Sequence, residues 1–161
     1  MKITIIGAGA IGLLLASSLE KDNDVSLLVK KNKSSKFIRK GLWIEKANQR
    51  KEIKAKIVTE IEDSEIVIIA VKTYDLESVS KIIESFKGKI IICQNGLNML
   101  NYEAPNNNDL FTIVTSMGAQ TLELGVSKFM GTGYTVIGNL KGEKGNKLEQ
   151  IFSNEYFKIS N

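Results

Sequence analysis

The sequence predicts an α/β fold: a doubly wound, mostly parallel sheet with helices on both faces and an antiparallel edge. Three observations lead there. Short apolar runs rich in isoleucine and valine recur at residues 2–6, 25–29, 65–71, 89–93 and 110–116. Segments with helical apolar spacing separate them at 11–21 and 76–86. A glycine-rich turn, Gly7-Ala8-Gly9-Ala10-Ile11-Gly12, joins the first run to the first helical segment.

Taken in order, residues 2–6 read as a short buried strand, and the glycine turn follows at once. Residues 11–21 read as a helix, because Leu13, Leu14, Leu15, Ala16 and Leu19 give it a wide apolar face. The polar run Lys21-Asp22-Asn23-Asp24 ends it, and residues 25–29 form the second strand. A strand–helix–strand unit of this length makes a parallel pair with a right-handed crossover. Residues 30–40 are polar and basic, a loop and a short helix. Two strands are expected at 42–45 and 52–58, as a hairpin with a polar tip at Ala47-Asn48-Gln49-Arg50. Residues 76–86 place Val79, Ile82, Ile83 and Phe86 on one helical face, with Asp75 as N-cap. A short helix is expected at 97–102, closed by Pro105 and three asparagines. Short glycine-punctuated strands across 121–138 suggest the antiparallel edge. A last helix at 142–152 and a terminal strand at 156–159 complete the reading, with no repeat, low-complexity tract or linker.

Composition narrows the function. The 161 residues suit one domain. Net charge is +4, from 22 Lys and Arg against 18 Asp and Glu, with the signs interleaved. That balance gives no nucleic-acid footprint but accommodates a small anion. With no histidine, His-based acid–base chemistry and the usual zinc sites are excluded, and no metal is expected. The single Cys93 permits no internal disulfide and fits a reducing, cytoplasmic setting. No apolar stretch reaches the roughly 18–20 residues of a membrane span, so no membrane is expected.

Each glycine of the turn has a physical reason in a dinucleotide site of the Rossmann type. Gly7 lets the chain turn off the strand, Gly9 lets bare backbone approach a pyrophosphate, and Gly12 lets the helix pack on the sheet. The helix start then offers free N–H groups and the positive dipole end to the phosphates. The competing reading is a tight turn without a ligand, and the flanking strand and helix argue against it. The end of the second strand chooses the cofactor. NAD sites place an acid there on the ribose 2′-hydroxyl. Val29-Lys30-Lys31-Asn32-Lys33-Ser34-Ser35 has no acid and three lysines, which points to NADP(H), with Lys30 as the 2′-phosphate contact. An ordinary solvated basic loop is the alternative. Two further strand ends should face the same crevice. Lys72 could hold a carboxylate or the cofactor, and Asn95 could hydrogen-bond a carbonyl, a hydroxyl or the nicotinamide ribose. A snorkelling lysine and an Asn-Gly turn are their bland alternatives.

With these residues in view, the sequence resembles the N-terminal domain of the ketopantoate reductase (2-dehydropantoate 2-reductase) family. The resemblance runs through the opening Met1 to Gly12, Val71-Lys72-Thr73, Gln94-Asn95-Gly96-Leu97, Thr115-Ser116-Met117-Gly118-Ala119 and Val136-Ile137-Gly138, nearly the whole chain. It implies an NADP-dependent oxidoreductase that reduces 2-dehydropantoate to pantoate, on the route to pantothenate and coenzyme A. Gly7 to Gly12 would hold the pyrophosphate. Lys30 would replace the family's usual arginine at the 2′-phosphate, keeping charge but losing the bidentate fork. Lys72 and Asn95 would lie near nicotinamide and substrate, and Ala119 would line the cofactor through its backbone. The family's proton-donor lysine belongs to a second, helical domain that is expected beyond residue 161, so no catalytic residue is assigned within this chain. Lys158 lies on the expected terminal strand and is not assigned that role. The chain is then expected to be a 1–161 NADP(H)-binding domain of a longer enzyme, meeting a small 2-keto acid through the other domain, with little or no turnover alone and with homo-oligomerisation left open. A related 2-keto or 3-hydroxy acid oxidoreductase and a stand-alone NADP(H)-sensing module are the rival readings.

Overall fold

A computed structural model describes residues 1–94 and 102–141, together with Leu148, Phe152 and residues 158–159. Its main sheet has eight strands. Six are parallel: β1 (Lys2–Ile6), β2 (Asp24–Leu28), β5 (Lys56–Val58), β6 (Ile66–Ile69), β7 (Lys89–Cys93) and β8 (Leu110–Thr115). β11 (Thr135–Lys141) runs antiparallel to β8, and β12 (Lys158–Ile159) pairs with β11 at the edge. The spatial order is β5-β2-β1-β6-β7-β8-β11-β12. This is the doubly wound α/β arrangement with an antiparallel edge, as the sequence predicts.

The strands are apolar on both faces because both faces are covered. Ile3, Ile5, Leu27, Ile66, Ile68 and Ile91 form one cluster with α1 (Ala10–Leu19). Ile6, Leu28, Val67, Ile69, Ile90 and Ile92 form the other, with Val79 and Ile83 beside them. Val79 belongs to α3 (Leu76–Ile82), which fixes that helix on the opposite face. α3 ends earlier than its apolar spacing predicts, at Ile82, and a 3-10 turn at Thr73–Asp75 leads into it. α2 (Lys31–Lys40) is polar except for the buried Phe37 and the exposed Ile38, carries Arg39 and Lys40 at its negative end, and stops at Gly41 with φ 73°.

A second, four-stranded sheet is the main departure from the sequence reading. It contains β3 (Trp43–Lys46), β4 (Gln49–Glu52), β9 (Gly118–Glu123) and β10 (Val126–Gly131), in the order β4-β3-β10-β9. The expected tip at 47–50 is only Ala47-Asn48, both at positive φ (50° and 60°), so Gln49 and Arg50 already pair with β3. Such two-residue turns match the strand twist but usually announce themselves with glycine, which is missing here. The expected strand at 52–58 divides at the buried Ile53, whose N–H donates to Leu42 O at 2.8 Å; its second half becomes β5 of the main sheet. Likewise, the segment 121–138 does not all join the main sheet edge: β9 and β10 join the second sheet, and only β11 takes the edge. α1 lies between the two sheets, against β1 and β2 on one side and β3, β9 and β10 on the other. That position explains why Gly12, Leu13, Leu14, Leu15, Ala16 and Leu19 are all buried, a helix apolar nearly all round. The expected helices at 97–102 and 142–152 fall mostly outside the described residues.

Candidate functional site

A cleft of about 750 Å³ opens at the carboxyl ends of the parallel strands. Gly7, Gly9, Ala10 and Ile11 form its floor, Ala70 to Thr73 and Asp75 one side, and Cys93, Gln94 and Thr115 the next strand ends. Ala119, Gln120 and Thr121 of β9 close it from the second sheet. The chain leaves β1 for β2 on one side and reaches β6 on the other, so this is the crevice where the winding direction reverses.

The three glycines do three different things. Gly7 has φ +110°, and a Cβ there would stand 2.9 Å from Ala70 O. A Cβ on Gly12 would stand 1.8 Å from Gly7 O, so strand end and helix meet backbone to backbone. Gly9 is different: its φ is −83°, and a Cβ there would meet nothing within 4 Å among the described residues. Neither backbone conformation nor packing among the described residues requires glycine at 9. Gly9 is also the N-cap of α1, with no side-chain cap and no acidic residue in the first turn. The helix therefore turns uncompensated N–H groups and its positive dipole end into the cleft.

Neighbouring contacts hold this floor in place. Gly7 N–H donates to Leu28 O at 3.3 Å, tying the turn to the end of β2. The buried Ser127 hydroxyl donates to Ala10 O at 3.1 Å, fastening β10 to the helix start. Gln94 donates through Nε2 to Val71 O at 2.8 Å, locking the ends of β6 and β7 together. The hydroxyls of Thr115 and Thr135 lie 2.8 Å apart, and Thr115 Oγ1 accepts from Met117 N–H at 3.1 Å. Burial pushes the Cys93 thiol up to about 12, which keeps it neutral and unreactive in the cleft wall.

The structure thus gathers Gly7, Gly9, Ala10, Ile11, Lys72 and Ala119 around one cleft. Ala8 packs against the core and Gly12 lies buried beneath Gly7, so both support the turn without lining the cleft. Lys72 is exposed at the start of the 3-10 turn, where its carbonyl accepts from Asp75 N–H at 2.9 Å. Lys30 stands at the N-cap of α2, just past β2, with its Nζ 3.7 Å from Asp75 Oδ1. Asn95 lies outside the described residues. Lys158 is on the edge strand β12, as expected. Sequence reasoning passed over Gln94, Thr115 and Asp75. Gln94 and Thr115 had a usable signal, since each lies at or just past the end of an apolar strand. Asp75 had a misleading one: it occupies the N-cap position of α3, yet its side chain makes no cap hydrogen bond and faces Lys30 instead.

The family model of ketopantoate reductase PanE/ApbA matches residues 3–142. The chain belongs to this family. Among relatives, the 2-dehydropantoate 2-reductase of Archaeoglobus fulgidus is 28% identical over 151 residues, covering 93% of this chain and 51% of that protein. The 2-dehydropantoate 2-reductase of Aquifex aeolicus is 36% identical over 111 residues, covering 64% of this chain and 34% of the relative. The chain spans about half the length, or less, of the ketopantoate reductase relatives it matches. A probable 2-dehydropantoate 2-reductase from Bacillus subtilis superposes with a TM-score of 0.87 at 22% identity, over 99% of this chain and 57% of that one. A D-mandelate dehydrogenase, solved as a ternary structure with NADH and anilino(oxo)acetate, gives 0.83 at 24% identity, over all of this chain and 57% of that one. At these identities the likeness establishes the shared Rossmann-type fold. The ketopantoate reductase homologues are oxidoreductases by name, and this chain carries the nucleotide-binding fold of that family.

Proposed function

We propose that this chain binds NADPH in the cleft at the first turn and is the cofactor half of a 2-dehydropantoate 2-reductase. The observation that carries the reading is Gly9, a glycine that nothing among the described residues requires, facing the cleft at the start of α1. A bare backbone there leaves room for a diphosphate against the helix N–H groups, and any side chain would occupy that room.

When bound, the cofactor would supply hydride chemistry toward a 2-keto carbon. The chain's own residues bind and orient. Gly7, Gly9, Ala10 and Ile11 would cradle the diphosphate, with Ala8 and Gly12 supporting the turn, and Lys30 would offer a positive charge to the 2′-phosphate. Lys72 stands on the nicotinamide and substrate side, where a cation stabilises a substrate carboxylate or the negative charge that develops on the carbonyl oxygen. Ala119 lines the cofactor through its backbone, and Asn95 is assigned to the same side from the sequence. The proton for the new hydroxyl is assigned to a lysine of the second domain, outside this chain.

Fluorescence titration of the 161-residue chain with NADPH and with NADH tests the reading. Saturable NADPH binding that is lost when Gly9 is replaced by a larger residue is expected. Affinity indifferent to the side chain at position 9 would overturn it.

A further inference from the structure

The end of β2 carries no acid, and on that ground alone the site would be plainly selective for a 2′-phosphate. The fold changes that conclusion. The turn after β6 delivers a carboxylate to the same place: Asp75 lines the cleft, and its Oδ1 lies 3.7 Å from Lys30 Nζ. Two facts make this pairing informative. Asp75 stands where a helix-capping side chain would turn inward to the N–H groups of α3, yet it makes no such bond. Lys30 follows β2 directly, two residues past Leu28, whose carbonyl holds the glycine turn. The acid that a Rossmann site of the NAD type takes from the end of its second strand therefore reaches this cleft from a different loop.

Resting on the proposal that the cleft holds a nicotinamide dinucleotide, we infer that Asp75 is a specificity-determining residue that opposes Lys30 and opens the site to NADH. A 2′-phosphate carries about −1.5 to −2 charges. To reach Lys30 it must displace the carboxylate or sit beside it, and either weakens NADPH. A 2′-hydroxyl can donate to the same carboxylate, which favours NADH. The pair together presents no net charge to the ribose, where Lys30 alone would present one positive charge. Both side chains remain partly exposed, so the contrast is partly screened and shrinks as salt rises.

The experiment is a titration of wild type, Asp75→Asn, Asp75→Ser and Lys30→Met with NADPH and NADH at low and high salt. Both Asp75 variants should raise the ratio of NADPH to NADH affinity by about fivefold to tenfold at low salt. Asp75→Asn keeps the size of the side chain and Asp75→Ser shortens it, so agreement between them isolates the charge. Lys30→Met should lower the ratio. If wild type binds both nucleotides and neither Asp75 variant moves the ratio beyond twofold, the inference is overturned while the cofactor reading stands. Equal loss of both nucleotides would mark Asp75 as structural and also overturn it. Binding of neither nucleotide by wild type sinks the reading itself, and this inference with it.

Discussion

The carbonyl oxygen of Gly7 lies where a Cβ on Gly12 would have to stand, 1.8 Å from it. The first strand and the first helix thus meet through backbone alone, and the contact has no flexible side chain that could yield. Gly12→Ala must push α1 away from the glycine turn and the end of β6, toward the second sheet. Overpacking of this kind costs about 1–3 kcal/mol. The melting temperature is expected to fall by roughly 3–10 °C, read by circular dichroism, and a melting curve unchanged by the alanine would contradict the packing described.

Gly9 should behave in the opposite way. Asp is a better N-cap than Gly and places a negative charge at the positive end of α1, so Gly9→Asp is expected to hold or raise stability by a few tenths of a kcal/mol. The same carboxylate fills and repels the proposed diphosphate position, so NADPH affinity should fall by about 100-fold or more, the loss of roughly 3 kcal/mol of binding energy. Thermal melting and titration on one preparation check both halves. A variant that stayed stable and still bound NADPH normally would remove the diphosphate from this turn.

Gly7 to Gly12 was legible in the sequence because its strand and helix are contiguous and their apolar residues alternate or repeat locally. The same holds for β6, β7 and β8 and for Val79 of α3, whereas Ile82, expected on the same helical face, is exposed because the helix ends there. The second sheet was not legible. It depends on Trp43 to Glu45 pairing in parallel with Val126 to Lys128, more than eighty residues later, and no local pattern records such a partner. The hairpin was blurred by Ala47-Asn48 standing where glycine would have given the turn away. Asp75 takes the N-cap position its spacing predicts, but the 3-10 turn that ends there gives it helical backbone (φ −93°, ψ −6°), its side chain makes no cap bond, and its neighbour Lys30 lies forty-five positions away.

Lys30→Glu tests the 2′-phosphate assignment directly. Reversing the charge puts two carboxylates beside that position, since Asp75 remains. NADPH affinity should drop by about 10–100-fold, matching the loss of one charge-assisted contact of ~1.5–3 kcal/mol, while NADH changes by less than about threefold. Because Lys30 is exposed, stability should not move appreciably. Isothermal calorimetry with each nucleotide reads the split, and equal losses would show that Lys30 does not meet the phosphate.

Cys93 gives the fold a defined weakness at high pH. Its thiol is buried at the end of β7, and burial pushes its pKa from the ordinary 9.0 to about 12. The unfolded chain releases that proton near pH 9, whereas the folded chain keeps it until about pH 12. Above pH 9 the native state therefore holds more protons than the unfolded state, and stability falls as pH rises. The slope approaches ~1.4 kcal/mol per pH unit across that window and vanishes below it. The Cys93 contribution is isolated as the difference between wild type and Cys93→Ala. Urea melts at a series of pH values from 8 to 11 are expected to show wild type losing stability more steeply than Cys93→Ala, with parallel curves below pH 9. Parallel curves throughout would mean that the thiolate is tolerated in the cleft wall, and then rapid alkylation of the native protein at pH 9 should accompany them.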